Sequence, residues 1–360
     1  MAEVLPAFVL PSEHRPGQVN STDGIPVIDL KGWHWEAAEW PQDRSYRESI
    51  VRQIGDAAQE WGFFQIVNHG VSQRVLDEVE SSAREFFDLD LEEKRKVTRT
   101  ADNAMGYFDM ELTKNVRDWK EVYDYLACER AEIAPKQVFA NKWPSNPPEF
   151  RDACKNYSAA MEALAFKVLE LVVESLGAPA KALNEHFVGG STRVRLNFYR
   201  KCPSPDLVLG VSRHKDGCAL TLLAQDEVGG LQVKSKRNDQ WVQVKARRDA
   251  FAVNIGDLIQ VWSNGKYQSI EHRVVVNSTR DRFSCPVFFS PTYATNAAPL
   301  PGLVNENHPA KYKPVNWGEY YKMRRDSNFK NLGKPNVQID NWAIAIDHIV
   351  LGHYNKTMPC

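Results

Sequence analysis

Arg193-Val-Arg-Leu-Asn-Phe-Tyr199, Ser212-Arg-His-Lys-Asp216, Ser269-Ile-Glu-His-Arg273 and Arg280-Asp-Arg-Phe-Ser284 are four pieces of one stretch, and their reading decides the fold. Each sets polar residues two apart, or a lone histidine, among β-branched and aromatic neighbours. In an extended chain residues two apart point to the same side. His214 therefore projects with Asp216, Asn197 with Tyr199, and Arg282 with Ser284. His272 completes a set of two imidazoles and one carboxylate, the ligand set of a non-haem iron site with open positions. Arg282 stands apart as a cationic anchor able to grip a carboxylate in a bidentate fork. Taken singly each residue has a plainer reading. H-x-D triplets recur by chance, His272 beside Glu271 reads as an ordinary satisfied histidine, and Arg282 near Arg280 and Asp281 reads as a solvated charge cluster. The ordered set with consistent two-residue spacing outweighs those readings.

Outward from this stretch, apolar periodicity predicts strands over 192–199, 207–213, 218–224, 230–236, 240–244, 250–254, 258–262, 267–276 and 282–290. Gly229-Gly230 and Arg237-Asn238-Asp239 read as turns between them. The N-terminal half is helical instead. Ile50, Ile54, Ala58 and Trp61 keep helical spacing up to Gly62, and Ser72 is a good N-cap for a helix carrying Val75, Val79, Ala83 and Phe86. Asp90 starts a third helix, and 149–176 reads as a long amphipathic helix ending at Gly177. Ile25–Leu30, Phe63–Val67 and 118–125 read as strands. Residues 31–43 and 100–118 read as loops, the second long and tipped by aromatics, and 129–148 as a Pro-rich connection. Residues 315–332 read as helical, and the tail from 336 is ambiguous. The expected fold class is mainly β with flanking helices: a closed or double-sheet body such as a jelly roll, with a helix-rich N-terminal region. The expected divisions are 1–190, 191–295 for the β core, and 296–360.

The 360 residues carry a net charge of -1, with 43% hydrophobic and 25% charged residues. There is no basic excess to neutralise phosphates, so nucleic acid is not an expected partner. No run approaches the length of a membrane span, and no secretory signal is seen, so neither membrane insertion nor secretion is expected. Six scattered cysteines, none in a C-x-x-C pair, read as reduced thiols of a cytoplasmic protein.

With these motifs in view, nearly the whole chain resembles the plant-type 2-oxoglutarate- and Fe(II)-dependent dioxygenases, the family of flavonoid, gibberellin and alkaloid oxygenases. Ile25-Pro-Val-Ile-Asp-Leu30 resembles the opening strand, and Trp61-Gly-Phe-Phe-Gln-Ile-Val-Asn-His-Gly70 the N-terminal signature. Leu196-Asn-Phe-Tyr-Arg-Lys-Cys-Pro203, His214-Lys-Asp216 with Leu220-Thr221, Gly229–Val233, Asn254–Asp257, Ser269–Val274 and Arg282-Phe-Ser284 continue the match. The resemblance implies a double-stranded β-helix core. It implies Fe(II) held by His214, Asp216 and His272, with Arg282, Ser284, Tyr199 and Asn197 at 2-oxoglutarate. Dioxygen is then a co-substrate, ascorbate a reductant, and succinate and carbon dioxide the co-products. Arg200-Lys201 stand where the family carries Pro-Pro, which suggests a changed charge at the rim of the site. Lys215 between the ligands should point away from the metal. His69, although in a signature, reads as structural.

For the substrate, the resemblance points to Tyr107, Phe108, Tyr123, Arg195 and Phe288 as pocket walls. A flat alkaloid or flavonoid comes first, a hormone-modifying activity of gibberellin, auxin or jasmonate type second. An iron oxidase that does not use 2-oxoglutarate and a non-catalytic binding protein on the same fold are the further alternatives. The protein is expected to be a monomer, and the apolar run at 346–351 a possible lid.

Overall fold

The computed structural model describes residues 4–17, 19, 24–31, 44–113, 115–134, 137–329 and 337–344. Along the chain, β1 (Val27–Asp29) and helix α1 (Arg44–Glu60) lead into β2 (Phe63–Val67), helix α2 (Gln73–Asp88) and the short α3 (Leu91–Arg95). Gly62 takes the positive φ of +65° that lets α1 stop and turn at once into β2. Ser72 and Asp90 sit at the N-caps as expected, but neither side chain makes a capping bond.

The segment 100–118, predicted as one loop, instead holds β3 (Gly106–Phe108) and a tight hairpin of β4 (Leu112–Thr113) and β5 (Val116–Arg117). After β6 (Glu121–Leu126), the predicted Pro-rich connection folds as a second hairpin, β7 (Arg130–Ala134) with β8 (Gln137–Ala140). These strands are two to five residues long, too short for a two-residue period to stand out. Helix α4 (Phe150–Ser175) follows, with Tyr157, Met161, Leu164, Val168, Leu171 and Val172 all buried.

The core strands come next: β9 (Arg193–Tyr199), β10 (Val211–His214), β11 (Leu220–Gln225), β12 (Leu231–Lys234), β13 (Trp241–Gln243), β14 (Ala250–Ile255), β15 (His272–Val274) and β16 (Arg282–Phe289). The predicted strand at 258–262 is a helix, α5 (Asp257–Trp262). All six of its residues are buried, so the apolar run has no polar face from which to read a period. A small pair, β17 (Asn296–Ala297) and β18 (Val315–Asn316), precedes α6 (Trp317–Phe329).

Eight strands form one sheet in the order β1-β2-β14-β11-β16-β9-β6-β3, and four form a second, β10-β15-β12-β13. Strands from before residue 190 are thus hydrogen-bonded into the same sheet as the core. Strand alternation gives the large sheet two different faces. Phe283, Cys285, Val287 and Phe289 of β16 and Leu220 and Leu222 of β11 join Phe86, Phe87 and the α4 stripe in one apolar cluster. The intervening Arg282, Ser284, Pro286 and Phe288, with Thr221 and Leu223, turn the other way and line a cavity of about 200 Å³. A smaller cluster, including Phe63, Ala252, Leu231, Val233 and Val242, seals one end between the two sheets. This is the jelly roll expected from the sequence. The five cysteines of the described residues are free, and no helix of the described residues is long and apolar enough to cross a membrane.

Candidate active site

Strand pairing brings the two distant histidines together. β10 and β15 run antiparallel with His214 opposite His272, their ring centroids 4.2 Å apart. Asp216 follows His214 just past the strand end. His214 Nε2 lies 3.5 Å from Asp216 Oδ1, and His272 Nε2 lies 3.7 Å from Oδ2. One ligand atom from each residue falls within 4.8 Å of the others, the one such group among the described residues.

The donor set fits a divalent metal in its details. His214 Nδ1 donates to the Ser212 carbonyl at 2.9 Å and His272 Nδ1 to the Ile270 carbonyl at 3.1 Å. Each Nε2 therefore keeps its lone pair for the metal. Thr221 Oγ1 and Asn254 Nδ2 donate to Asp216 Oδ2 at 2.6 and 3.0 Å, which fixes the carboxylate. Burial, and then the neighbouring imidazole of His272, push His214 below its ordinary value, which favours the neutral, ligating form. Burial alone would raise the Asp216 carboxyl. The two imidazoles and the bonds from Thr221 and Asn254 outweigh it, so it stays ionised.

The anchor lies on the adjoining ladder. β16 pairs with β9 so that Arg282 faces Tyr199, Ser284 faces Asn197 and Phe288 faces Arg193. Arg282 is 2% exposed. Its Nη1 donates to Ser284 Oγ at 3.0 Å and its Nη2 to Gln225 Oε1 at 3.1 Å, with the guanidinium 4.8 Å from the Tyr199 ring centre. Its Nε and the Asn197 Oδ1 meet no partner among the described residues. No carboxylate of the described residues pairs with Arg282. A buried cation with neutral partners only is costly until an anion arrives. Such a cradle suits the carboxylate of an organic acid.

His214, Asp216, His272, Tyr199, Asn197, Arg282, Ser284, Arg195 and Phe288 all line the one cavity. Tyr107, Phe108 and Tyr123, expected as pocket walls, are not among the residues that line it. Asp124 of β6 pairs with Arg195 and turns to the cavity side, so its neighbour Tyr123 turns to the helices, where it meets Phe86 and donates to the Lys142 carbonyl at 2.7 Å. Tyr107, opposite Tyr123, is buried on Phe86 and donates to Glu121 at 2.8 Å. Phe108 lies under the Arg99 guanidinium at 3.9 Å.

Arg200 reaches away from the cavity to Asp88 at 2.8 Å and stacks on Phe198, while the Lys201 amide donates to Asp281. Lys215 Nζ approaches Asp340 at 3.8 Å. His69 accepts the Val71 N–H at 3.2 Å and packs on Phe251, and it belongs to no metal-ligand group among the described residues. The predicted lid at 346–351 lies outside the described residues.

Sequence reasoning assigned no role to Thr221 or Asn254, nor, Arg195 apart, to a charged wall of the same cavity. There Glu111, Asp118 and Asp124 are enclosed by Arg99, Lys120, Arg193 and Arg195. Arg195 spans Glu111 at 2.6 Å and Asp124 at 2.8 Å, and Arg99 bridges the same two acids at 3.3 and 3.1 Å. The signal for part of this was available: Arg193 and Arg195 continue the two-residue spacing of Asn197 and Tyr199.

A jelly roll holding a His-Asp-His triad beside a buried carboxylate cradle defines a 2-oxoglutarate-dependent oxygenase. Residues 25–146 match the N-terminal family described as non-haem dioxygenase in morphine synthesis, and 191–291 match the 2OG-Fe(II) oxygenase superfamily. The chain is 38% identical over 329 residues to jasmonate-induced oxygenase 4 of Arabidopsis thaliana, covering 88% of both chains. It is 37% identical over 319 residues to feruloyl CoA ortho-hydroxylase 1 of the same plant, covering 84% of this chain and 80% of that one. Among solved structures, JOX2 in complex with 2OG, Fe and JA superposes with a TM-score of 0.75 at 31% identity, covering 89% of each chain. The chain belongs to the 2OG-Fe(II) oxygenase superfamily and is a plant-type 2-oxoglutarate-dependent dioxygenase, an oxidoreductase that uses Fe(II) and 2-oxoglutarate.

Proposed function

We propose that this oxygenase hydroxylates a small plant metabolite, with His214, Asp216 and His272 holding the iron and Arg282, Ser284 and Tyr199 holding the far carboxylate of 2-oxoglutarate. When bound, iron and 2-oxoglutarate would supply the activation of dioxygen, the oxidant: the oxo acid gives two electrons, takes one oxygen atom and loses carbon dioxide to become succinate, and the other oxygen atom passes to the substrate. The chain's own residues bind, orient and enclose. The carbonyls of Ser212 and Ile270 hold both imidazoles in the ligating tautomer. Thr221 and Asn254 hold Oδ2 of Asp216, which fixes the carboxylate with Oδ1 beside His214 and Oδ2 beside His272. Gln225 and Ser284 splay the Arg282 fork toward the cavity. Phe288 and Leu223 restrict water around the open side.

The observation that carries this reading is the buried Arg282 without a carboxylate partner, facing the same cavity as the triad. A non-catalytic binding protein would have no use for the triad, while an iron oxidase without 2-oxoglutarate can keep the Arg-x-Ser pair and is separated by oxygen uptake with and without 2-oxoglutarate. The reading places every metal and co-substrate residue within 191–295. The test is anaerobic addition of 2-oxoglutarate to the purified protein with Fe(II), followed by a metabolite screen with ascorbate that reads succinate. A visible metal-to-ligand charge-transfer band and substrate-dependent succinate are expected. No band, or equal oxygen uptake with and without 2-oxoglutarate, would overturn it.

A further inference from the structure

The wall opposite the triad carries more positive than negative charge. Four cations, Arg99, Lys120, Arg193 and Arg195, face three acids, Glu111, Asp118 and Asp124. Burial raises the Asp118 carboxyl above its ordinary value, so any proton it takes enlarges the excess. The charge is not spread evenly. The side chains of Arg99, Lys120 and Arg195 are 2%, 3% and 9% exposed and lie against the acids. Arg193 is 21% exposed and gives one N–H to Asp124 at 3.2 Å. Its remaining donors meet no acceptor among the described residues, and it lines the cavity. The Phe288 ring, 4.5 Å from the guanidinium, holds it flat against the wall.

Resting on the oxygenase reading above, we infer that the substrate is a small organic anion whose carboxylate is received by Arg193. Position supports this. Thr221, Phe288 and Arg193 are neighbours on three adjacent strands. Two strand spacings put Arg193 about 10 Å from Thr221, backbone to backbone. Thr221 in turn holds the metal-ligand carboxylate of Asp216. A carboxylate on Arg193 therefore lays a carbon a few bonds away over the open side of the metal position.

The chemistry also selects. A carboxylate gains a charge-assisted bond and neutralises the excess, while a neutral ester offers no charge and a protonated amine meets a cationic wall. This ranks the acidic, hormone-type substrates above the alkaloids that the sequence reading placed first. On α6, Arg325 also lines the cavity and adds to the positive field, whereas Arg324 is tied to Asp257 at 2.9 Å.

The experiment uses the full-length enzyme with Fe(II), 2-oxoglutarate and ascorbate. The probes are a panel of small carboxylic acids beginning with phenylacetate, cinnamate and cyclopentylacetate, each with its methyl ester and the amine of matching skeleton. Acids are expected to be turned over, with esters at least tenfold poorer in kcat/KM and amines inert. Arg193→Gln should raise KM for the best acid roughly ten- to a hundred-fold and leave that for its ester unchanged, and Arg193→Lys should recover part of the loss. In both variants the anaerobic charge-transfer band with 2-oxoglutarate should persist, which a merely structural role of Arg193 would not ensure. With the band present, turnover of esters or amines in preference to acids, of no acid at all, or an equal effect of Arg193→Gln on acid and ester overturns the inference and leaves the oxygenase reading standing. A missing band in the unaltered protein overturns the oxygenase reading itself.

Discussion

Replacing Arg282 by lysine separates co-substrate binding from metal binding. The guanidinium is buried, steered by Ser284 and Gln225 and backed by the Tyr199 ring. A carboxylate in front of it takes two parallel N–H···O bonds, each worth roughly 1.5–3 kcal/mol because the partners are charged. Lysine keeps the charge but presents a single point contact on a shorter reach. Losing one bond of the fork weakens 2-oxoglutarate by about ten- to a hundred-fold. Arg282→Met loses both bonds and the charge, so the weakening should exceed a thousand-fold. Neither change touches the ligands on β10 and β15, so metal affinity should hold within about threefold. Arg282→Met also removes a buried cation that has only neutral partners, and the ligand-free variant should melt no lower than the parent. The assay is anaerobic titration of the charge-transfer band with 2-oxoglutarate, beside a chelator competition for Fe(II). Equal losses of both ligands, or an unchanged 2-oxoglutarate affinity, would refute the role given to Arg282.

Thr221→Val removes the 2.6 Å bond to Asp216 Oδ2 at nearly constant volume, and metal affinity should fall roughly ten- to a hundred-fold by chelator competition. Gly210→Ala would set a methyl 2.7 Å from the Tyr199 ring, so 2-oxoglutarate affinity should drop about tenfold with the metal site kept. Burial holds the His69 imidazole down to about 4, below its free value near 6.5. The neutral form is the stable one, so its stability contribution is present above about pH 6.5. That contribution is lost as pH falls from there toward 4, by at most roughly 3 kcal/mol. Thermal melts of His69→Gln should accordingly be flatter than the parent's across that range.

Much of the fold could be read because both faces of the large sheet are legible in alternation. Arg282, Ser284 and Phe288 interleave with Phe283, Cys285 and Val287, and that pattern places one set on the cavity and the other on the helices. It failed where no alternation exists. Asp257–Trp262 is buried on every side and is a helix, and the hairpins at 112–117 and 130–140 are too short to show a period. The same alternation explains why Tyr123 faces the helices. Its neighbour Asp124 carries the cavity face, a parity set only by the pairing of β6 with β9.

The sequence by itself determined the chemistry of this protein. Two histidines, an aspartate and an Arg-x-Ser pair are the residues proposed to carry it, legible because ligand type and two-residue spacing are local properties. The tertiary structure alone decided which charges meet. Glu111, Asp118 and Asp124 come from one loop and strand, while Arg99, Lys120, Arg193 and Arg195 come from three separate segments. Only strand order shows that three of these cations are enclosed by acids and that Arg193 opens onto the cavity. The proposed preference for an acidic substrate rests on that difference of one charge, which no local spacing records.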